Sequence, residues 1–206
     1  MREARAPRSI IRSGISVKRW LEALPSVEAL RPAICPICGE PGRPAGRGLG
    51  IRGHGRRDRQ QRGPLVPGER PALVIVLVRR YLCRCGASMT VAPQETRSHR
   101  LYTASAIGWA LALFGVARLS ACAVRARTSP WKIMGKRADE GWATLRRWVT
   151  AVRTGRLFPS VRASPTDFTA RQVAERAATT LAAYAPPTTP ANEITARAFV
   201  GAALVW

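Results

Sequence analysis

Four of the five cysteines in this chain stand in two close pairs, each followed by glycine: Cys35–Pro36–Ile37–Cys38–Gly39 and Cys83–Arg84–Cys85–Gly86. Thiols at such spacing serve as metal ligands or as a redox dithiol. No strand–helix–strand pattern surrounds the first pair, as a thioredoxin-like dithiol requires, so ligation is the better reading. A glycine after the second cysteine lets the backbone turn back and bring its N–H groups towards the sulfurs. Two residues apart on a strand, Cys83 and Cys85 would face the same side, which suits shared ligation. Four sulfurs at about 2.3 Å from Zn²⁺ close a tetrahedron and leave no position for water, so the expected site is structural. His54 competes with Cys85 as fourth ligand, although its setting, Gly53–His54–Gly55–Arg56–Arg57, suits a turn or a phosphate contact. Cys122 falls on a predicted short helix and reads as core.

The second chemistry is cationic. The 206 residues carry 34 Lys and Arg against 12 Asp and Glu, a net charge of +22. A GC-rich coding bias explains Arg in place of Lys, but not the surplus of positive charge. Such a field attracts polyanions, of which nucleic acid is the commonest in a cell. One concentration is residues 43–62, with seven arginines (43, 47, 52, 56, 57, 59 and 62) against one Asp. Its glycines suit a flexible or hairpin loop laid along phosphates through Arg52, Arg56, Arg57 and Arg59, and Arg79, Arg80 and Arg84 would extend that surface from a neighbouring strand. The other is residues 142–153. Wheeled at 100° per residue, they put Trp142, Leu145, Trp148, Val149 and Val152 on one arc and Arg146, Arg147, Thr150 and Arg153 on the opposite one. A helix with an apolar docking side and an arginine side is suited to the major groove, so double-stranded DNA is the expected partner.

Positioning these groups calls for a small β domain and a helical one, an α+β chain. The expected domains are an N-terminal basic arm (1–32), a zinc ribbon (33–93), a helix-turn-helix DNA-binding domain (100–155) and a helical tail (156–206). In the arm only residues 16–24 read as helix. In the ribbon, the β-branched run 73–78 continues towards Cys83, and 87–92 forms a short strand closed by Pro93. Residues 50–57 are expected to pair with 73–82 across a turn-rich 63–71. Thr103 caps a helix running through Gly115, with Ile107, Leu111 and Phe114 on one stripe. Ser120 caps a second over 121–127, stopped by Ser129–Pro130, and a third spans about 139–153. The intervening link exceeds a compact helix-turn-helix turn, so an expanded turn with a short helix at 131–134 is assumed. Ser164–Pro165–Thr166–Asp167 predicts a helix start running to about Tyr184. A proline-rich linker (186–190) and a weaker apolar helix (191–206) follow. The basic, proline-broken first residues lack an apolar leader, and no apolar run reaches the 18 or so residues of a membrane span. A cytoplasmic, nucleoid-associated protein with no membrane partner is expected, in a reducing compartment where paired cysteines bind metal.

These motifs have a counterpart. Cys-Pro-x-Cys-Gly at 35–39, Gly53–His54–Gly55–Arg56, Arg79–Arg80–Tyr81–x–Cys83, Thr90–Val91–x–Pro93 and Gly141–Trp142–x–Thr144–Leu145–Arg146–Arg147–Trp148 resemble the zinc-ribbon plus helix-turn-helix N-terminal modules of bacterial insertion-sequence transposases and their small companion proteins. The resemblance covers about residues 34–153. It implies binding to the terminal duplex DNA of a mobile element, with a separate catalytic transposase or integrase subunit as partner. The chain departs from the group at Cys83–Arg84–Cys85, where members usually have two residues between the cysteines. Transposases of this kind cut with a metal-binding carboxylate triad on a ribonuclease-H-like sheet. None of the acids here ends a strand of an alternating α/β pattern, and two histidines in arginine-rich loops make no nucleophile–base set. A non-enzyme without a small-molecule substrate is therefore expected. The alternative is a zinc-ribbon RNA- or ribosome-associated binder, against which the Trp142–Trp148 helix weighs, since RNA binders favour exposed aromatics on sheets.

Overall fold

The computed structural model describes residues 8–132, 141–189 and 193–205. In chain order its elements are β1 (Arg8–Arg12), α1 (Val17–Glu22), β2 (Ile51–Gly63), β3 (Ala72–Cys83), β4 (Ser88–Ala92), α2 (Ala104–Gly115), α3 (Ala121–Thr128), α4 (Ala143–Arg153), α5 (Ala170–Ala183) and α6 (Ile194–Leu204). The mixed α+β class holds, with one four-stranded sheet among the described residues. The chain separates into two compact units, Met1–Gln60 with Ile75–Ser98, and Gln61–Val74 with His99–Trp206.

The first unit is built on the sheet, in the order β1-β4-β3-β2. β3 is a run of β-branched and leucine residues ending at Cys83, and it pairs antiparallel with β4 from Arg79↔Val91 to Leu82↔Ser88. The expected pairing of the 50s with the 70s is found as β2 beside β3. β2 is longer than the expected 50–57: it forms a 13-residue strand from Ile51 to Gly63, so much of the basic stretch 43–62 is strand and the hairpin alternative is the one found. β1 was not foreseen at all. It lies parallel to β4, from Arg8↔Ser88 to Arg12↔Ala92, and a parallel partner so far along the chain leaves no hairpin signature in sequence. α1 appears where expected, with the Ser16 hydroxyl accepting from the Arg19 N–H. Its Trp20 is buried and donates from Nε1 to the Leu77 carbonyl at 3.1 Å, and Glu95 accepts from the Val17 N–H at 2.9 Å.

The second unit is helical. α2 begins at the Thr103 cap and ends at Gly115, as its sequence specifies. The expected single apolar stripe is wrong, however: every residue of α2 except Phe114 is buried, because α3, α4, α5 and α6 all pack on it. Small residues make that possible. A Cβ on Gly108 would sit 2.5 Å from Ala202 Cβ, and one on Gly201 would sit 1.8 Å from the Leu181 carbonyl oxygen, so the α2, α5 and α6 backbones approach where only glycine fits. α3 is capped by Ser120 as expected. α4 begins at Ala143; the earlier start expected at Asp139 and most of the assumed 131–134 helix lie outside the described residues. α5 starts five residues later than the Ser164 cap suggested, with Thr169 as its cap. Thr169 and Gln172 form a complete capping box, which fixes the end more strongly than the Ser164–Pro165 pair. Residues 165–168 close a turn instead, with Phe168 N–H on the Pro165 carbonyl at 3.2 Å. None of the described helices is long and apolar enough to cross a membrane.

Candidate metal centre and basic surfaces

The four paired cysteines converge within the first unit. Cys35 and Cys83 are buried, Cys38 and Cys85 exposed, and all four Sγ atoms lie within 4.8 Å of one another. Contacts run between the pairs, 3.9 Å from Cys35 to Cys85 and 3.6 Å from Cys38 to Cys83. A tetrahedral ion with metal–sulfur bonds of about 2.3 Å requires sulfurs about 3.8 Å apart, so the cluster already has the size of such a site and can hold a metal ion. His54 lies on exposed β2 outside the cluster, and Cys85 completes the set.

Local turns explain the convergence. Around the first pair, Cys35 N–H bonds the Glu40 carbonyl at 2.9 Å, Gly39 N–H bonds the Cys35 carbonyl at 3.0 Å, and Gly39 has φ of 75°. At the second, β3 ends on Cys83, and Gly86, with φ of 85°, closes a turn by donating to the Cys83 carbonyl at 3.0 Å. Cys85 therefore reaches the cluster through a turn, not through strand alternation. This is how a one-residue spacing serves where two are usual. Burial alone would raise the Cys35 thiol, but the N–H groups of Cys38 and Ile37 favour its thiolate and bring it down to about 7. Cys83 is pushed up to about 12, first by burial and then by the neighbouring thiols, against the help of the Cys85 N–H. Metal binding would take both as thiolates. Among the supporting groups, Glu28 was missed from sequence. It pairs with both Arg31 and Arg43, and Arg31 also donates to the Ile51 carbonyl; the i,i+3 spacing of Glu28 and Arg31 was the available signal.

The arginines separate into two kinds. Arg52, Arg56 and Arg57 are exposed on β2. Arg59 is half-buried and donates to the Arg97 carbonyl, and burial, with Arg57 nearby, lowers its pKa. Arg79 is buried and donates from Nε to the Pro25 carbonyl at 2.6 Å, so it fixes the arm to the sheet and offers little to a ligand. Arg80 is half-buried opposite Thr90. In the second unit, Trp142, Leu145, Trp148, Val149 and Val152 are all buried, as the wheel specified, while Arg146, Arg147 and Thr150 are exposed. Tyr102 completes the anchor, with edge-on ring contacts at 5.9 Å to Trp142 and 5.0 Å to Trp148. Arg153 differs from expectation: it is half-buried and donates to the Thr166 carbonyl at 3.4 Å and to that of Phe168. The packing that holds α4 comes from α5 and α2.

No protein-family model, curated protein or solved structure matches this chain.

Proposed function

We propose that this chain is a non-catalytic DNA-binding protein whose first unit is organised by a structural Zn²⁺ on Cys35, Cys38, Cys83 and Cys85. Four thiolates of the observed spacing suit zinc, whose filled d shell tolerates the tetrahedron without redox chemistry. With every position taken by sulfur, the ion would have a folding role and no bound water to activate. The observation that carries the DNA reading is α4: five buried apolar side chains lock it in place, and Arg146, Arg147 and Thr150 stand together on its outward arc. Because α4 is held by α5 and α2, it is offered to a groove by the helical unit as a whole and not by a two-helix turn alone. Both units carry 17 basic against 6 acidic residues, +11 each, so approach to a polyanion is favoured from either. Placement in a mobile element, beside a separate catalytic subunit, rests on the motif resemblance and on a sequence in which no acid ends a strand of an alternating α/β pattern.

The test is equilibrium binding of the zinc-loaded chain to a randomised duplex library, one fixed duplex and an RNA of equal length, across salt. Arg146→Ala with Arg147→Ala should cost about 1–3 kcal/mol per base contact on selected sequences, or flatten the salt slope by about 0.9 per lost phosphate contact. Unchanged binding by the double variant would remove α4 from the interface, and tighter binding to RNA than to any duplex would favour the ribosome-associated alternative. Zinc itself is checked by metal analysis, with one ion per chain expected.

A further inference from the structure

The lobe that surrounds the cysteine cluster has a surface its folding role does not need. Ile34 is 61% exposed, the most exposed large apolar side chain among the described residues, and Ile37 is 51% and Leu49 41% exposed. These three belong to one small piece of backbone. Ile34 forms a bridge with Pro41, Ile37 sits between the two cysteines of the first pair, and Gly50, beside Leu49, donates to the Gly42 carbonyl at 3.2 Å. Gly50 lies so close to this turn that a Cβ there would be 2.2 Å from the Pro41 carbonyl oxygen. The apolar side chains are interleaved with cations. Arg47 is exposed two residues before Leu49, and Arg52 three residues after it. Arg84, itself exposed, donates to the Gly48 carbonyl at 2.9 Å and through its N–H to the Gly50 carbonyl at 3.1 Å.

Exposed aliphatic side chains cost solubility unless they meet an apolar surface, and the arginines around them repel another basic chain. The face of an unstacked nucleobase in its strand is apolar and yet bordered by dense negative charge, and in a chain read as a DNA binder it is the matching surface. Resting on the DNA reading above, we infer that the metal-centred lobe is a second DNA contact. In it Ile34, Ile37 and Leu49 pack on bases where the duplex is opened, and Arg47 and Arg52 take the adjoining phosphates. A metal on the four cysteines would hold Ile34 and Ile37 rigid and present them at low entropic cost. This contact adds a preference for distorted or unpaired DNA that the outward arc of α4 does not supply.

The experiment compares the zinc-loaded chain on a fully paired duplex and on the same duplex carrying a bubble of mismatched bases, with 2-aminopurine in the bubble as a reporter of base environment. The wild type should bind the bubble about tenfold more tightly and change the 2-aminopurine fluorescence. Ile34→Ser with Ile37→Ser should abolish both effects while leaving duplex affinity and salt slope unchanged; Ile37→Val should keep them. Both serines replace exposed side chains, so zinc content should stay at the wild-type value and certify the fold. Equal wild-type affinity for bubble and duplex, or a preference surviving in the serine variant, would overturn this inference alone. Failure to bind any DNA would bring down the reading it rests on.

Discussion

Removing the metal proposed for the cysteine cluster should loosen one part of the first unit and leave the helical unit folded. The cluster ties together segments 45 and 50 residues apart in sequence, by Cys38–Cys83 and Cys35–Cys85. Treated as a cross-link, closing a loop of this length stabilises the folded state by about 4 kcal/mol, a large share of the roughly 5–15 kcal/mol that holds an ordinary domain. Little else replaces it locally. Residues 33–50 bury only Cys35 among their hydrophobic side chains, whereas the second unit has a continuous core from Tyr102 to Val205. Cys38→Ser, or chelation, should therefore reduce hydrogen-exchange protection of the Cys35, Gly39, Cys83 and Arg84 amides by about a thousandfold. These amides donate to Glu40, Cys35, Ala87 and Gly50 carbonyls, respectively. The Ile107 and Val116 amides at the two ends of α2 serve as the internal reference. If protection of these four amides fell less than tenfold, or if the α2 amides fell in parallel, a metal would not be the staple of this lobe.

Two further outcomes test the packing and the electrostatics. Gly108→Ala gains about 1 kcal/mol of helix propensity, but its Cβ would meet Ala202 Cβ at 2.5 Å and the Ala198 carbonyl oxygen at 2.7 Å. Overpacking of about 1–3 kcal/mol should win, lowering the urea midpoint, while Gly141→Ala, with nothing within 4 Å, should leave it in place. Burial raises the Glu95 pKa, against the opposing pull of its own N–H and that of Val17. A carboxyl raised in the folded state contributes stability fully below its unfolded value of about 4.3, and that contribution is lost as pH rises through the folded value. Glu95→Gln keeps an acceptor for Val17 and should flatten the urea midpoint against pH across that window; identical profiles for the two proteins would show that Glu95 is not strained by burial.

What the sequence made legible follows the range of the forces involved. Helix caps are local, and Thr103 and Ser120 marked α2 and α3 to within a residue. The convergence of the four cysteines was legible because thiols in pairs before glycine have few other uses. The amphipathic period placed every buried residue of α4 named from the wheel. Non-local features escaped. β1 exists only because β4, some 80 residues later, offers its edge in parallel. α2 looked amphipathic because its stripe was read without knowing that four helices would surround it. Ser164–Pro165 competed with the Thr169–Gln172 box, and the box satisfies two backbone donors where the former satisfies none.

The arginines show why net charge overstates an interface. Among the described residues, Arg31, Arg59, Arg79, Arg84, Arg153, Arg171 and Arg197 each donate to a main-chain carbonyl within their own unit. A chain rich in glycine, proline and alanine has many loop carbonyls and few large side chains to cover them, and a guanidinium with five donors on a long stem serves both needs. Arg171 does this twice over, bonding the Phe114 and Leu119 carbonyls while lying 4.4 Å over the Phe114 ring. Such residues raise the long-range field without offering a free fork to a phosphate. Among the groups left for direct contact, exposed and without such a bond, are Arg47, Arg52, Arg56 and Arg57 in the first unit and Arg146 and Arg147 on α4. The salt dependence of DNA binding should accordingly reflect about six phosphates, not the +22 of the whole chain.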